Sequence, residues 1–442
     1  MTAGAPSARS TTEVSRRFAD ALDWLYGFAD MERGIGWNPR ASASLGWNLR
    51  RTRILLDLLG GPDRRMVVVL VAGTKGKGST AALLASILSA AGATTGLYTK
   101  PHLQSYRERV RVDGQAVGEG AFADGVDALR PQVDVLRRLV PAAGQPTTFE
   151  LTTALAFLHF ATARCTVAVV EVGLGGRLDA TNATDPHVSV ITPISHDHMR
   201  ELGTRLDGIA REKAGILRPG RVAVVAEQRA TATAAIRAES DRVGAERRMI
   251  PPLTAADATR VGLKLRGPHQ RQNAALAIAA ARALSEHGVV TVNDGDVARG
   301  LSRLRWAGRF EVVLGAPTIV LDGAHNDGSA DALALSLRTE FPGRPVRLVV
   351  GMMRDKDAAA FARAMRPVAR FVYATAPPGA RALRAEELAR RYGSRSFAQL
   401  ADALAAARSE SKAKDIVCVT GSLALVGEAR DLLGLPIAER LW

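Results

Sequence analysis

Met66-Val-Val-Val-Leu-Val-Ala-Gly73-Thr-Lys-Gly-Lys77-Gly-Ser79-Thr80 is the stretch that decides the fold, and an alanine- and leucine-rich run follows it. It predicts a buried β-strand, a glycine-rich loop and then a helix, because an apolar β-branched run suits a parallel strand covered on both faces. Gly73, Gly76 and Gly78 allow the backbone to turn sharply and to approach a bound group without interference from a Cβ atom. The stretch therefore indicates an α/β protein with a ligand at this loop.

The residues that open the predicted helix favour an anion. Ser79 and Thr80 lie in its first turn, where unpaired N–H groups and the positive end of the helix dipole attract negative charge. Lys77 adds a positive charge, as the lysine of a phosphate loop does. The spacing departs from the strict G-x-x-x-x-G-K-[ST] pattern, so an ordinary glycine-rich turn is the alternative. With strand, loop, lysine, hydroxyls and helix in order, we predict a triphosphate site.

The composition indicates a globular protein that attracts anions. The chain has 442 residues, of which 47% are hydrophobic and 5% aromatic, and its net charge is +15. This length allows two α/β domains with cores of their own. A basic surface attracts nucleic acid, anionic lipid or acidic small molecules. The arginines are scattered rather than clustered with aromatic residues, which favours acidic substrates, although a bias towards arginine without functional meaning is an equal alternative.

The sequence also gives expectations for location. Cys165 and Cys418 each lie in an apolar strand-like run, which suggests two buried thiols in a reducing compartment. No apolar run approaches the roughly 18 residues of a membrane helix. The first residues lack the apolar core of a signal peptide, so we expect a loose tail over residues 1–12 and a cytoplasmic protein without a membrane partner.

Strand-like and helix-like segments alternate along the chain, which is typical of doubly wound parallel sheets. Residues 14–60 are predicted to form helices broken by the Gly34–Gly46 stretch. Trp306–Phe310 is the predicted hinge, so we expect an N-terminal domain over residues 1–305 and a smaller Rossmann-like α/β domain over residues 306–442. One nucleotide site between these units is the economical inference. The further predicted strands are Thr94–Tyr98, Thr166–Val172, His187–Ile191, Arg221–Ala226, Thr318–Leu321, Val346–Val350, Phe371–Ala374 and Ile416–Val419.

Two polar segments follow predicted strands. Glu171 ends one strand beside a glycine-rich loop, where α/β sheets bind ligands, and is a candidate magnesium ligand near phosphates. A salt bridge at the sheet edge is the alternative. His196 and His198 flank Asp197 after the next strand, which favours a site, although no zinc-like spacing accompanies them. Lys213, taken alone, is simply a lysine on a helix.

Several motifs together resemble the dihydrofolate synthase/folylpolyglutamate synthase family, which belongs to the ATP-dependent Mur-type amide ligases. The match runs from about residue 50 to residue 430, and its Glu171–Asn182 string is highly specific. The motifs are Gly73-Thr-Lys-Gly-Lys-Gly-Ser-Thr80, Thr148-Phe-Glu-Leu-Thr-Thr-Ala-Leu-Ala-Phe157, Glu171-Val-Gly-Leu-Gly-Gly-Arg-Leu-Asp-Ala-Thr-Asn182, Asp197-His198, Glu212-Lys-Ala-Gly-Ile216, His269-Gln270 with Asn273, Gly308-Arg-Phe310, Asp322-Gly-Ala-His-Asn326 and Thr420-Gly-Ser-Leu423.

The resemblance implies a Mur-ligase-like fold with a P-loop ATPase-type N-terminal domain that also binds the pterin. It implies a ligase that joins L-glutamate to dihydropteroate, to (tetrahydro)folate or to both. ATP would phosphorylate the acid, and the amine would attack the acyl phosphate. ATP and Mg²⁺ are the expected cofactors, with a monovalent cation as a further candidate, and the expected state is a monomer whose partners are small molecules and not nucleic acid.

The resemblance also assigns roles to individual residues. Lys77, His198 and Lys213 are the predicted catalytic residues. The predicted metal ligands are Ser79, Glu171, His198 and Lys213, the last as a carbamate. The predicted nucleotide contacts are Gly73, Thr74, Lys75, Gly76, Lys77, Gly78, Ser79, Thr80, Asn273, Arg309, Asp322 and His325. The predicted substrate contacts are Thr147, Thr148, Phe149, Glu150, Leu178, Asp179 and Ala180.

Two departures from the family pattern bear on the substrate. The family usually has asparagine where this chain has Lys75, and a magnesium-binding serine where it has Lys100. We hypothesise that Lys100 partly replaces a magnesium ion by contacting phosphate. A ligase for another acid, and a catalytically silent ATP-binding protein, are the alternative functions. A nucleic-acid-binding protein is disfavoured because no recognition motif is present.

Overall fold

The computed structural model describes residues 11–30, 32–33 and 42–442, without the side chains of residues 42–48. Helix α1 (Thr11–Tyr26) begins within the predicted N-terminal tail, whose residues 1–10 lie outside the described ones. Most of the predicted break at Gly34–Gly46 also lies outside them. Helix α2 (Ser42–Leu58) begins inside the predicted break, which was expected to continue to Gly46.

The first sheet carries the glycine-rich loop. Among the described residues it has eight strands in the order β4-β3-β2-β5-β1-β6-β7-β8, and all pairs are parallel except β2–β3 and β3–β4. The loop follows β1, at the centre of this sheet. The strands are β1 (Val67–Ala72), β2 (Thr95–Tyr98), β3 (Val110–Val112), β4 (Gln115–Ala116), β5 (Val167–Glu171), β6 (Val188–Ile191), β7 (Val222–Ala226) and β8 (Glu246–Ile250).

Helices cover both faces of this sheet, which makes it doubly wound. One face packs on α3, α10 and α11 through side chains such as Leu83, Leu276 and Leu301. The other face packs on the remaining helices through Leu55, Phe157 and other apolar residues. The helices after α2 are α3 (Lys77–Ala90), α4 (Glu119–Leu139), α5 (Thr148–Thr162), α6 (Met199–Leu202), α7 (Leu206–Ala214), α8 (Ala230–Val243), α9 (Ala255–Arg260), α10 (His269–Glu286) and α11 (Asp294–Arg303), with short 3-10 helices at Pro62–Arg65, Tyr106–Arg109, Pro141–Ala143 and Ala180–Ala183.

The second sheet is smaller and also doubly wound. Its six strands in the described chain have the order β13-β12-β11-β14-β10-β9, and only the β9–β10 pair is antiparallel. Helices α12, α13 and α14 cover one face, and α15 and α16 cover the other. The elements are β9 (Glu311–Val313), β10 (Thr318–Leu321), α12 (Asp327–Glu340), β11 (Val346–Val350), α13 (Ala358–Met365), β12 (Ala369–Ala374), α14 (Ala385–Tyr392), β13 (Arg395–Ser396), α15 (Leu400–Ser409), β14 (Ile416–Thr420) and α16 (Leu423–Leu432).

The segment after α16 returns to the first sheet. The N–H of Ala116 donates to the carbonyl of Glu439 at 2.8 Å, and the N–H of Leu441 donates to Gly114 at 3.1 Å. The strands of the two sheets lie within residues 67–250 and 311–420. We propose a domain boundary at residues 305/306, with these last residues packed on the N-terminal domain.

The predicted strands agree with the observed ones to within about two residues. The sequence did not indicate β8, because Glu246, Arg247 and Arg248 are polar and β8 is the edge strand beside β7. It also did not indicate β4, β9 and β13, which are only two or three residues long. None of the helices in the described part of the chain has the length and apolar character needed to span a bilayer.

Leu441→Ala tests the attachment of the C-terminal segment. Leu441 is 2% exposed and belongs to the core shared with α3 and α10. Truncating a buried leucine costs about 2–5 kcal/mol, so the midpoint of thermal unfolding should fall by several degrees. Leu432→Ala, at a position that is 47% exposed, is the matched control and should shift it little. Equal midpoints for the two variants would show that the segment adds no stability.

Candidate active site

The glycine-rich loop between β1 and α3 has a backbone that only glycine suits. Gly73 and Gly76 have φ values of 139° and 83°. A Cβ atom at Gly73 would collide with Thr192, and one at Gly76 would collide with the side chain of Asn273. The N–H of Thr74 donates to the carbonyl of Pro193 at 3.0 Å, which fixes the loop beside β6. The loop therefore forms a fixed cradle at the start of a 14-residue helix.

The first turn of α3 places a cation and hydroxyl groups at this cradle. Burial lowers the pKa of Lys77, although the charge of Glu171 opposes the shift. Ser79 and Thr80 are buried beside it, and Thr80 Oγ1 has no hydrogen-bond partner among the described residues. Burial also lowers the pKa of Lys75 to about 8. An anionic ligand would relieve the cost of burying these ammonium groups.

Glu171 faces this cradle from the neighbouring strand. It ends β5, opposite Val71 of β1, and its Oε2 lies 3.1 Å from where a Cβ atom of Gly78 would stand. The backbone N–H of Lys100 donates to the same oxygen at 3.1 Å. Burial raises the pKa of Glu171, whereas the nearby Lys77 and Lys100 charges act to lower it. The Glu171 carboxylate therefore lies near positive charges. This environment suits the predicted magnesium ligand and also the alternative, a salt-bridge partner.

His198 and Lys213 are the other predicted metal ligands near the loop. His198 precedes α6 with a φ of 49°, and its Nδ1 is 3.9 Å from Glu201 Oε2. Burial lowers the pKa of His198 to about 4, so the ring is neutral at pH 7. Lys213 Nζ donates to the carbonyl of Gly73 at 2.8 Å. Burial, reinforced by the charge of Lys77, lowers the pKa of Lys213 to about 7.

These side chains fit a metal ion whose remaining ligands come from a bound nucleotide. No group of three or more His, Cys, Asp and Glu side chains converges on a metal position within the described ranges. Mg²⁺ is commonly held by one or two carboxylates together with substrate phosphates. Glu171 beside the phosphate cradle fits that arrangement. The neutral ring of His198 fits a metal ligand, whereas Lys213 fits one only after modification.

The second domain supplies the far side of the site. Burial lowers the pKa of Arg309, although the charges of Asp322 and Glu171 act against the shift. Asp322 accepts hydrogen bonds from the N–H groups of Phe310 and Ala324 at 2.8 and 2.9 Å, so it also fixes the connection between the domains. His325 Nδ1 lies 2.8 Å from the carbonyl of Gly323, and burial lowers the pKa of His325 to about 4.

The predicted substrate residues surround a cavity of about 240 Å³, which we name the acid cavity. Phe149 and Leu178 give it apolar walls. Glu150 pairs with buried Arg51 at 2.7 Å, and Asp179 accepts hydrogen bonds from the N–H groups of Leu174 and Thr181, so both carboxylates support the wall. The lining residues include Asp30, Glu32, Lys100, Arg109, Thr147, Thr148, Phe149, Glu150, Leu174, Leu178, Asp179, Ala180, Glu201 and Glu212.

A second cavity, of about 40 Å³, lies on the nucleotide side and includes Gly78, Glu171, Trp306 and Arg309 in its lining. We name it the phosphate-side cavity. Trp306 Nε1 is buried and has no hydrogen-bond partner in the described part of the chain, so its N–H is available to a bound ligand.

Sequence reasoning missed Asp30, Glu32, Arg109 and Trp306 as parts of the two cavities. Trp306 was predicted only as part of the hinge. Asp30 and Glu32 stand on an irregular segment without a motif. No signal in the sequence connects that segment with the loop more than 40 residues later.

The domains match known families. Residues 71–281 match the Mur ligase middle domain, and residues 308–423 match the Mur ligase glutamate ligase domain. With the glycine-rich loop and two doubly wound sheets, these matches define a Mur-type ligase.

The whole chain is similar to more particular relatives. It is 32% identical over 439 residues to a dihydrofolate synthase/folylpolyglutamate synthase of Bacillus subtilis, covering 94% of this chain and 99% of that one. The folylpolyglutamate synthase of Mycobacterium tuberculosis complexed with ADP superposes with a TM-score of 0.86 at 32% identity, covering 96% of this chain and 100% of that one. Escherichia coli FolC in complex with DHPP and ADP superposes with a TM-score of 0.82 at 32% identity, covering 94% and 97%.

The chain belongs to the dihydrofolate synthase/folylpolyglutamate synthase family. It is accordingly an ATP-dependent ligase with the Mur-ligase-like fold that the motifs indicated.

Gly76→Ala tests the phosphate cradle. The new Cβ would collide with Asn273, so we expect nucleotide affinity to fall at least about 100-fold, equivalent to about 2.7 kcal/mol. Gly92→Ala is the matched control, because Gly92 has a similar φ of 91° but no atom within 4 Å of the added Cβ. ADP binding by calorimetry, alongside circular dichroism to check folding, makes the comparison. Equal ADP affinity of the two variants would contradict the assigned loop.

Proposed function

We propose that this chain joins L-glutamate to dihydropteroate, to (tetrahydro)folate or to both, with ATP as the phosphoryl donor. The observation that carries the proposal is the adjacency of two cavities. Glu171 and Lys100 stand between the phosphate cradle and the acid cavity. A carboxylate at the inner end of the acid cavity would therefore meet the end of a nucleotide held at α3.

The chemistry has two balanced steps. A carboxylate oxygen of the acid attacks the γ-phosphorus of ATP and ADP leaves, which gives an acyl phosphate. The neutral amine of glutamate then attacks the acyl carbon, and the tetrahedral intermediate expels phosphate and a proton as the amide forms. The two steps need the acid and the phosphate chain in line, and they need water excluded from the acyl phosphate.

The residues at the start of α3 bear the developing negative charge. Lys77 and the N–H groups of the loop neutralise the phosphate oxygens. Arg309 approaches the same place from the second domain, and the donor Trp306 Nε1 is available beside it. The loop is fixed beside β6 before ATP binds, and the Arg309 guanidinium donates a hydrogen bond to the carbonyl of Gly308 at 3.3 Å.

Mg²⁺ fits the proposal at two places. Ser79 and Glu171 would hold one ion at the phosphates, and His198 with carbamylated Lys213 would hold another. The ions would neutralise phosphate charge. A lysine with a pKa lowered to about 7 is uncharged in about half of the molecules at pH 7, and only the uncharged amine reacts with carbon dioxide.

The acid cavity suits a flat heteroaromatic acid. Phe149 and Leu178 give apolar surface, and Phe149 lies near Tyr98 in a stacked arrangement with ring centroids 6.1 Å apart. Asp30 accepts hydrogen bonds from the N–H groups of Glu32 and Arg33 and lines the same cavity. A planar ring with polar edges and a terminal carboxylate would place each part against a matching surface.

ATP-dependent phosphate release tests the function. Purified protein with L-glutamate is assayed with dihydropteroate and then with tetrahydrofolate, and the product is identified by mass. We expect one or both acids to support turnover, and Lys77→Met should lower kcat at least about 1,000-fold because phosphate charge is left unneutralised. Lys414→Met changes an exposed lysine in the second domain and should leave kcat unchanged.

The outcomes separate the candidate functions. Release with neither acid but with another carboxylic acid would assign the ligase a different substrate. ATP binding without release for any acid and amine would identify a silent nucleotide-binding protein. Full activity of Lys77→Met would refute the role of Lys77.

Lys213→Ala tests the carbamate. Because protonation removes the reactive amine, wild-type activity should fall as the pH drops through about 7 and should depend on dissolved carbon dioxide near that pH. The variant should lose activity about 100-fold or more and recover part of it when formate or acetate is added. Turnover measured against pH, with carbon dioxide removed and restored, makes the test. Unimpaired turnover of Lys213→Ala would count against carbamylation.

A further inference from the structure

Lys100 lies in the wall between the two cavities. Among the described residues it is the one residue that lines both the acid cavity and the phosphate-side cavity. Its backbone is fixed there, because its N–H donates to Glu171 Oε2 at 3.1 Å. The position therefore stands at the place where an acid and a phosphate would meet.

The side chain of Lys100 extends to the acid side. Its Nζ lies 5.7 Å from the centroid of the Phe149 ring and 3.9 Å from Glu32 Oε1. The side chain is only 14% exposed, and in the described ranges Nζ donates no hydrogen bond. Burial removes most of the hydration of this ammonium group. The ion pair with Glu32, at 3.9 Å, compensates only part of that loss.

The neighbouring cation cannot take over this role. Arg109 forms an ion pair with Glu32 at 2.5 Å, and its Nε donates to His102 Nδ1 at 3.0 Å. Its guanidinium also lies 4.4 Å from the centroid of the Tyr106 ring. Arg109 is thus engaged on several sides, whereas Lys100 retains donors for a further anion.

Glu32 places a negative charge beside Lys100 in the acid cavity. Although burial alone would raise its pKa, the charges of Arg109 and Lys100 lower the pKa of Glu32 to about 2. Its carbonyl oxygen accepts a hydrogen bond from Arg381, which links this segment to the second domain. The carboxylate is the protein's own counter-ion for Lys100.

We propose that the Lys100 ammonium binds the carboxylate of the acceptor acid and selects for anionic acids, with Glu32 as the counter-ion that the substrate carboxylate displaces. The inference rests on the proposed function and deepens it. The phosphate chain already has Lys77, the start of α3 and Arg309, whereas the acid side has no other uncommitted cation in its described lining. Arg177, the remaining cation there, pairs with Glu212 at 2.6 Å.

This role differs from a phosphate contact that replaces magnesium. A carboxylate held by Lys100 would have part of its charge neutralised next to the γ-phosphate, so two anions could approach each other. The affinity for the acid would then depend on Lys100, and the affinity for ATP would not. Lys100→Met removes the charge and keeps much of the length.

Equilibrium binding separates the two roles without turnover. Dihydropteroate and an analogue that lacks its carboxylate are titrated into the ADP-loaded protein. Wild type should prefer the carboxylate form at least about tenfold, and Lys100→Met should abolish the preference while ADP binds within twofold. Lys100→Arg should restore part of it. An unchanged preference in Lys100→Met would overturn the proposal.

Kinetics give a second readout. Lys100→Met should raise the KM for the acid about 10- to 100-fold, with the KM for ATP and the Mg²⁺ requirement changed less than twofold. Lys100→Ser, which restores the residue usual in the family, should also raise the KM for the acid. A raised KM for ATP or a raised Mg²⁺ requirement, with the KM for the acid unchanged, would overturn the proposal in favour of a phosphate contact.

Glu32→Gln is the matched variant on the other side of the pair. It removes the competing charge but keeps the shape, so the KM for the acid should fall about threefold or more. An increased KM would contradict displacement of Glu32. Failure of the ligase function is recognised separately, because wild type would then release no phosphate with any acid, while the carboxylate preference in binding would still be measured.

Discussion

A concentration of positive charge around the start of α3 is the constraint on which the rest of the site depends. Burial lowers the pKa of Lys77 and lowers those of Lys75 and Lys213 to about 8 and about 7, and in each case the charge of a neighbouring lysine adds to the effect. Glu171 offsets part of the charge of Lys77, and Asp197 offsets part of the charge of all three lysines. Burying several positive charges without a ligand costs free energy, and bound anions reduce that cost. An anionic nucleotide and an anionic acid would therefore balance the charge of the site.

The fold assembles this charge from distant parts of the chain. β1 and β5 are adjacent and parallel, so the loop after β1 and the carboxylate that ends β5 meet at the same edge of the sheet. The second domain adds Arg309 through a connection that Asp322 fixes by hydrogen bonds. Lys100 lines both cavities, and in our proposal it separates the nucleotide from the acid. In this proposal the two substrates meet at the wall that the two cavities share.

Local patterns in the sequence predicted most of the scaffold. Apolar β-branched runs such as Val67–Ala72 gave the strands, and the spacing of Gly73, Gly76 and Lys77 gave the loop, because these features depend on neighbours in the chain. The strand β8 was missed because an edge strand carries no apolar signal. The contacts of Leu441 with the first sheet depend on the tertiary fold and left no local pattern.

The site was predicted unevenly for the same reason. The segments around Phe149 and Leu178 were predicted through the motifs to bind the substrate, and they line one cavity. Glu32 and Arg109 were not, because an ion pair between an irregular segment and a short 3-10 helix depends on three-dimensional proximity. Lys100 was recognised as a departure, but the direction of its side chain follows from the structure and is towards Glu32 and Phe149.

The central claim is that the acid's carboxylate reaches the γ-phosphate across the boundary at Lys100. The most direct measurement uses an acid whose carboxylate is labelled with ¹⁸O, with ATP and L-glutamate, and determines the isotope content of the released phosphate. Attack by the carboxylate transfers a labelled oxygen to phosphorus, so the account predicts one ¹⁸O atom in each phosphate released with amide formation. Unlabelled phosphate accompanying amide formation would contradict it.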